Sequence, residues 1–249
     1  MTLDARAIFF MSPDDPAALS ASVLRVPIAV GGAGRVTILD VDPNAPVAWS
    51  VVTDDANVYF TTVDGTQIAT IPKTGGETKT LVSDQLLAHE LTADADALYW
   101  TDGLAGKVFK VAKRGGAPVV LATGETDVGG VAVDGASVYW VSTTAGSKLS
   151  TIMRAPKSGG VAKALVCGLR GVRNVVSDGT RTYWSQSGAV FWVSGTDPVA
   201  SWGAATVHPL GGANTSSTFD AGVASRGAYG TGTSSGGGSV IRTFRSKDK

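Results

Sequence analysis

The chain has 249 residues, with 21 Lys and Arg balanced by 21 Asp and Glu, so its formal net charge is zero. A neutral chain without a basic stripe lacks the electrostatic footprint of a nucleic-acid binder. Glycine is abundant at 32 residues and charged residues make up only 17%, a balance that suits a turn-rich β-protein with many Ser and Thr on its outer faces.

The first strand-like run is Ala7-Ile8-Phe9-Phe10, followed by Val23–Ala29, a Gly31-Gly32 turn and Val36–Leu39. The segment Met1–Met11 has no basic start followed by a long apolar stretch, so no secretory leader is expected within it. Nothing in the chain approaches the length of an apolar membrane span. From residue 50 onward a phrase recurs. It reads Val58-Tyr59-Phe60-Thr61, Leu98-Tyr99-Trp100-Thr101, Val138-Tyr139-Trp140-Val141 and Thr182-Tyr183-Trp184-Ser185, with its tyrosines 40, 40 and 44 residues apart.

Each repeat predicts four strands. A short strand A (Ser50–Thr53, Glu90–Ala93, Gly130–Val133, Asn174–Ser177) runs into an Asp-containing turn at Asp54, Asp94, Asp134 or Asp178. Strand B carries the aromatic phrase. Strand C follows at Ile68–Pro72, Val108–Ala112 and Ile152–Pro156 and closes on a Lys-Xaa-Gly-Gly turn at Lys73–Gly76, Lys113–Gly116 and Lys157–Gly160. Paired glycines between strand-like runs are a hairpin signal. The lysine of each turn is expected to be a solvated strand-end charge, with a basic ring on one face as the alternative. Strand D is expected at Thr78–Val82, Pro118–Ala122 and Val161–Val166. A fifth repeat continues through Val190–Val193 and Ala205–Pro209. A sixth begins near Ser217–Asp220, with a poor strand B at Ala228-Tyr229-Gly230 and strand C at Val240–Phe244.

A period near 40 built from short apolar-aromatic strands and glycine turns points to a β-propeller. The expected fold is all-β: one six-bladed β-propeller domain over 1–249, of four-stranded antiparallel blades. Approximate blades are 1–44, 45–85, 86–125, 126–169, 170–212 and 213–249, the last one incomplete. Because an open array leaves unpaired strand edges, the two ends are expected to meet; a trimmed chain is the other explanation of the short end units.

Leu98-Tyr99-Trp100-Thr101-Asp102 and the stretch from there to Ala122 resemble one repeat of the YWTD family of six-bladed propellers, found in extracellular receptor domains. The full four-letter motif occurs once. Elsewhere Thr62, Ser142, Gln186 or Ser12 replaces Asp102, so the blade-locking role that the family implies for this aspartate extends to one blade. The spacing also resembles six-bladed repeats of the NHL kind. Both groups are mostly binding platforms, with enzymes among the broader six-bladed propellers.

Candidate site residues come from the loops that enter strand A. Ten residues before each tyrosine stand Trp49, His89, Gly129 and Arg173, and one further on stand Ser50, Glu90, Gly130 and Asn174. These positions differ in every repeat while strand B scarcely changes, which marks His89, Glu90, Arg173, Asn174 and Trp49 as candidate ligand-binding residues at a channel mouth. Glu125, Asp127, Arg170 and Asp84 belong to the same class of loop. No catalytic residue is assigned. His89 and Glu90 are neighbours on an expected strand, so their side chains should point to opposite faces. With His208 as the second of two histidines, no His-rich metal centre can form and no metal or cofactor is expected. The turn aspartates lack calcium-loop spacing, and Gly236–Gly238 lacks the lysine and helix of a phosphate loop. The one cysteine, Cys167, sits after apolar residues and is expected to be a buried, inert thiol.

The leading expectation is a non-catalytic scaffold that binds a protein or glycan partner, outside the cell or at its surface, with the bacterial periplasm as an alternative compartment. The alternatives are a lyase or hydrolase with its active site near His89, and a structural subunit of a surface layer, filament or other assembly.

Overall fold

A computed structural model describes residues 2–3, 7–15, 20–27, 37–38, 50–62, 64–144, 146–186, 189–194, 204–209 and 217–220. Trp49, the Gly31-Gly32 turn and the expected strands after Asp220 lie outside the described residues. The chain divides into two compact units, 1–120 and 121–249.

Among the described residues all the regular structure is β, in repeated antiparallel sheets. Sheet 1 comprises β1 (Thr2–Leu3), β2 (Ala7–Asp15), β3 (Ser20–Pro27) and β4 (Thr37–Ile38). Sheet 2 comprises β5 (Val51–Thr53), β6 (Asn57–Thr61), β7 (Ile68–Pro72) and β8 (Lys79–Val82). In sheet 3 are β9 (Ala88–Ala93), β10 (Ala97–Asp102), β11 (Lys107–Ala112) and β12 (Val119–Thr123), in which the unit boundary falls. Sheet 4 holds β13 (Val128–Val133), β14 (Ser137–Thr143), β15 (Leu149–Pro156) and β16 (Lys163–Arg170). Sheet 5 holds β17 (Val175–Ser177), β18 (Arg181–Gln186), β19 (Ala189–Ser194), β20 (Ala204–Pro209) and β21 (Ser217–Asp220). Strands follow chain order in every sheet. Ser217–Asp220, expected to begin the sixth repeat, is a strand but pairs antiparallel with β20 as a fifth strand of sheet 5.

The turn between the first two strands is built the same way four times. The carboxylate of Asp54 accepts hydrogen bonds from the Ala56 and Asn57 N–H groups through Oδ1 and from the Tyr59 hydroxyl through Oδ2, at 3.0, 2.9 and 2.7 Å. Asp94 holds Asp96, Ala97 and Tyr99 in this way. Asp134 holds Ala136, Ser137 and Tyr139, and Asp178 holds Thr180, Arg181 and Tyr183. One oxygen therefore closes the turn while the other fixes the tyrosine five residues on. An aspartate suits this because its short carboxylate offers two acceptors, one for the backbone two and three residues ahead and one for the tyrosine.

Alternation along strand B then sends tyrosine to one face and tryptophan to the other. In the first unit the Tyr59 face of sheet 2, with Ile68 and Val82, packs on Leu91, Leu98, Trp100 and Val111 of sheet 3. In the second unit the Tyr139 face of sheet 4, with Val141, Ile152 and Leu165, packs on Val175, Trp184 and Val193 of sheet 5. Aromatic burial between neighbouring sheets is what the repeat phrase implies. Trp100 stacks on Phe109 at 5.2 Å and Trp184 on Phe191 at 6.1 Å. The Lys-Xaa-Gly-Gly turns form as expected: Gly75, Gly115 and Gly159 have φ of 82, 88 and 89°, a left-handed region that glycine enters without strain.

Two of the lysines in these turns depart from the expected solvated charge. Lys113 of sheet 3 reaches sheet 2, where its Nζ lies 3.2 Å from Asp54 Oδ2 and over the Tyr59 ring. Lys157 donates to the Asp134 carbonyl at 2.8 Å. Packing of the neighbouring sheet edge brings the Lys113 ammonium to the carboxylate, which a single repeat does not display.

The carboxylates and phenols hold each other's protonation states. Burial pushes Asp54 up, but the bonds from Tyr59, Asn57, Ala56 and Lys113 outweigh it and bring its pKa from 3.8 down to about 2. Burial together with the Asp54 bond raises Tyr59 from 10.0 to about 12, and burial with the Asp134 bond raises Tyr139 to about 12. A carboxylate more acidic in the fold stabilises it above the ordinary carboxylate pKa and loses that contribution as pH falls. A phenol less acidic in the fold stabilises it below 10 and loses that contribution as pH rises. Urea midpoints should therefore be flat at neutral pH, fall between about pH 4 and 2, and fall again between about 10 and 12. Asp134→Ala, which leaves a buried phenol and two N–H groups unpartnered, should cost about 1–3 kcal/mol in urea denaturation, against about 1 kcal/mol for Tyr139→Phe.

Candidate functional site

The loops entering β9 and β17 are held by hydrogen bonds to the sheet before. In the first unit, Gln85 N–H donates to the Thr66 carbonyl at 3.0 Å and Ala88 N–H to the Gly65 carbonyl at 2.8 Å. Gly65 has φ of 67°, and a Cβ there would lie 2.9 Å from Leu87 Cα, so the turn joining β6 to β7 needs glycine for both backbone and space. Asp102 is fully buried. Its Oδ2 accepts Leu86 N–H at 2.9 Å and its Oδ1 accepts Ala105 N–H at 2.8 Å. This one carboxylate ties the loop before β9 to the loop after β10. Trp100 Nε1 donates to Gln85 Oε1 at 3.0 Å in the same loop.

His89 and Glu90 follow on β9. Their side chains come within 3.9 Å, His89 Nδ1 to Glu90 Oε1, and both are about one-third exposed. The expectation of opposite faces is therefore corrected. The register explains it: Trp100 pairs with Leu91 but Asp102 with Ala88, so β9 carries one residue more than β10 across this stretch. Such a bulge breaks alternation and redirects side chains. A bulge stands at the same place in sheet 4, where Val131 pairs with Trp140 and Val128 with Ser142; there the residues are Gly129 and Gly130.

In the second unit, Gly130 N–H donates to the Arg173 carbonyl at 2.6 Å. A Cβ on Gly129 would lie 2.8 Å from that oxygen, and one on Gly130 would lie 2.7 Å from Asn174 Cα. The two glycines thus admit the backbone of Arg173 and Asn174, whose side chains are exposed. Arg170, at the end of β16, is exposed too, and buried Val172 anchors the loop that joins it to Arg173. Ser150 Oγ donates to the Val172 carbonyl at 3.3 Å. Arg170, Arg173 and Asn174 thus share one loop. Glu125 is half-buried and Asp127 exposed, the latter with φ of 45°, on the loop entering β13; Asp84, with φ of 60°, stands on the loop entering β9.

His89 and Glu90 belong to the first unit; Glu125, Asp127, Arg170, Arg173 and Asn174 belong to the second. Among the described residues no three His, Cys, Asp or Glu side chains cluster as metal ligands, and no helix is long and apolar enough to cross a membrane. Cys167 is half-buried, and burial, partly offset by a bond with Thr151, pushes its thiol up from 9.0. Residue-by-residue reading missed Gln85 and the Tyr–Asp pairs. The latter had a signal: aspartate stands five residues before tyrosine in four repeats.

No known family profile matches this chain, and no curated protein matches it. Solved structures do share its fold. A chain of a nidogen/laminin complex is 17% identical, with a TM-score of 0.63 over 86% of this chain and 85% of that one. Virginiamycin B lyase from Staphylococcus aureus is 9% identical, with a TM-score of 0.56 over 88% and 78%. A streptogramin B lyase is 10% identical, with a TM-score of 0.57 over 87% and 77%. The common element is an all-β architecture of repeated four-stranded antiparallel sheets, consistent with a propeller-like repeat.

Gly130→Ala should lower stability by about 1–3 kcal/mol in urea denaturation, since the added methyl overlaps backbone. Gly135→Ala, with nothing within 4 Å of the added methyl and no positive φ, should change it by less than about 0.5 kcal/mol.

Proposed function

We propose that this protein is a non-catalytic scaffold that captures a protein or glycan partner through the loops entering the first strand of its sheets, and that its repeats are the blades of a six-bladed propeller. The observation that carries this is the contrast within each repeat. The turn, the aromatic strand and the faces are built alike, while the entry loops carry His89 and Glu90 in one sheet, glycines in the next, and Arg173 and Asn174 in the third. A fixed frame under varied, hydrogen-bonded loops is the arrangement of a recognition surface. The structure from a nidogen/laminin complex, in which two proteins associate, favours a protein as the partner. An extracellular or cell-surface location is part of this reading.

Glycan arrays and pull-downs from the native source test it with the full chain. Arg173→Glu and Glu90→Ala, made separately, should each reduce capture at least about tenfold, the loss of one charged contact, with the unfolding midpoint unchanged. Capture unaltered by both variants overturns the assignment of these loops.

A lyase is the second reading, favoured by the His89–Glu90 contact of 3.9 Å and by two lyases of the same fold. In it an imidazole about one-third exposed, beside a carboxylate, serves as a general base. It requires turnover of a substrate that His89→Ala abolishes.

A further inference from the structure

The last strand of each of sheets 2–4 has a described neighbour on one side only: β8, β12 and β16 stand at the ends of their sheets. An end strand presents a row of backbone N–H and C=O groups that can template pairing with another chain. Proteins blunt such edges with charged side chains, lysine above all.

Sheets 2 and 4 carry that protection at one position. Six residues after the turn lysine stand Lys79 in β8 and Lys163 in β16, opposite Thr70 and Arg154 of the strand inside, and both are exposed. Sheet 3 has Val119 there, 56% exposed, followed by Val120, 43% exposed. In sheets 2 and 4 the following residue is Thr80 or the buried Ala164. Among the described residues, Val119 and Val120 are the one adjacent pair of exposed large apolar side chains. No nearby residue supplies the missing charge. The run from Gly115 to Gly124 has none, whereas the matching stretch of sheet 2 has Glu77, Lys79 and Asp84. Pro118, just before β12, lacks an N–H and so bounds the free edge, but it puts no charge on it.

We propose that the outer edge of β12, centred on Val119 and Val120, pairs with the same edge of a second copy of this chain, the two strands running antiparallel about a two-fold axis. Two properties choose this occupant. An uncharged, β-branched edge is complementary to itself. Turned about a two-fold, it meets an identical strand with valines together, where Lys79 or Lys163 would bring like charges together. The formal net charge of the chain is zero, so no long-range repulsion holds copies apart. A strand of 5 residues buries little when it pairs, so the dimer is a weak one that forms at high micromolar concentration. Each copy uses up its free edge in the contact, so association stops at two.

Sedimentation velocity of the full chain, from about 10 µM to about 1 mM, tests this. Monomer is expected at the low end and dimer, with nothing larger, at the high end. Val119→Lys, which restores the residue type of sheets 2 and 4, should weaken the dimer at least about tenfold and leave the unfolding midpoint of the dilute chain unchanged. Val161→Lys is the control. It adds the same charge at another exposed valine, just before β16, and should leave the association as it was. A chain that stays monomeric overturns the proposal, as does growth past the dimer. A dimer that Val119→Lys leaves intact, or that Val161→Lys weakens equally, overturns it too. Should Val119→Lys fail to fold, hydrogen exchange of the unaltered chain decides. One amide of the Val119–Val120 pair faces outward on this edge, and it should exchange at least about tenfold more slowly at about 1 mM than at about 10 µM. Exchange that ignores concentration while a dimer forms assigns the contact to another surface and overturns the proposal. Partner capture is measured in the dilute chain with the Arg173 and Glu90 variants, so either idea can fail without the other.

Discussion

The hydrogen bond between each tyrosine hydroxyl and the aspartate five residues before it is the constraint from which the rest of the fold follows. It joins the side chain of strand B to the backbone of the turn that precedes it. A turn closed by one carboxylate oxygen sets the register of the first two strands, and the other oxygen fixes which way tyrosine points. Tryptophan, the next residue, must then face the opposite way. Both faces of each sheet become large and apolar, so each must be covered. A single sheet of four short strands with two such faces cannot stand alone in water. Repetition is thus a physical consequence of the phrase.

The same constraint separates frame from site. Strand B and its turn are fully engaged in sheets 2–4: the rings are buried and the turn carboxylates hold both backbone and phenol donors. The entry loops carry little of that duty through their side chains, apart from Gln85, which accepts from Trp100 Nε1, and buried Val172. They are held by backbone, as in the bonds from Ala88 to Gly65 and from Gly130 to Arg173, or by a residue reaching from within the sheet, as Asp102 does. Their side chains are therefore free to vary. The bulge in β9 and β13 adds to this freedom. Where it holds His89 and Glu90 it presents two polar side chains together; where it holds Gly129 and Gly130 it admits the neighbouring backbone instead.

The legible part of this architecture was the part written in period. Strand B, its turn and the glycine hairpin recur, so four positions report the same fact, and the observed strands lie within a few residues of the expected ones in sheets 2–5. Features made by contact between repeats were not legible. Lys113 looks like any strand-end lysine until sheet 2 brings Asp54 to it. The His89–Glu90 contact depends on an extra residue in β9, which shows only in the pairing with β10. Asp102 is a partial exception. It was singled out because its neighbours spell a known phrase, and it does tie two loops of its sheet together.

Solved structures of this architecture include a chain from a complex of two proteins and two lyases, at 9–17% identity. One frame therefore supports association in one case and bond cleavage in others, so the frame itself carries no chemistry. On the proposed reading, the set of groups on the entry loops decides. Catalysis needs several polar groups converging on one reacting atom. Among the described residues the entry loops instead present a single imidazole–carboxylate contact in the first unit and two exposed arginines with an asparagine on one loop of the second. Long, exposed guanidinium groups on an anchored loop are suited to pairing with carboxylates or other hydrogen-bond acceptors on a partner's surface. That chemistry is what the proposed recognition role would draw on.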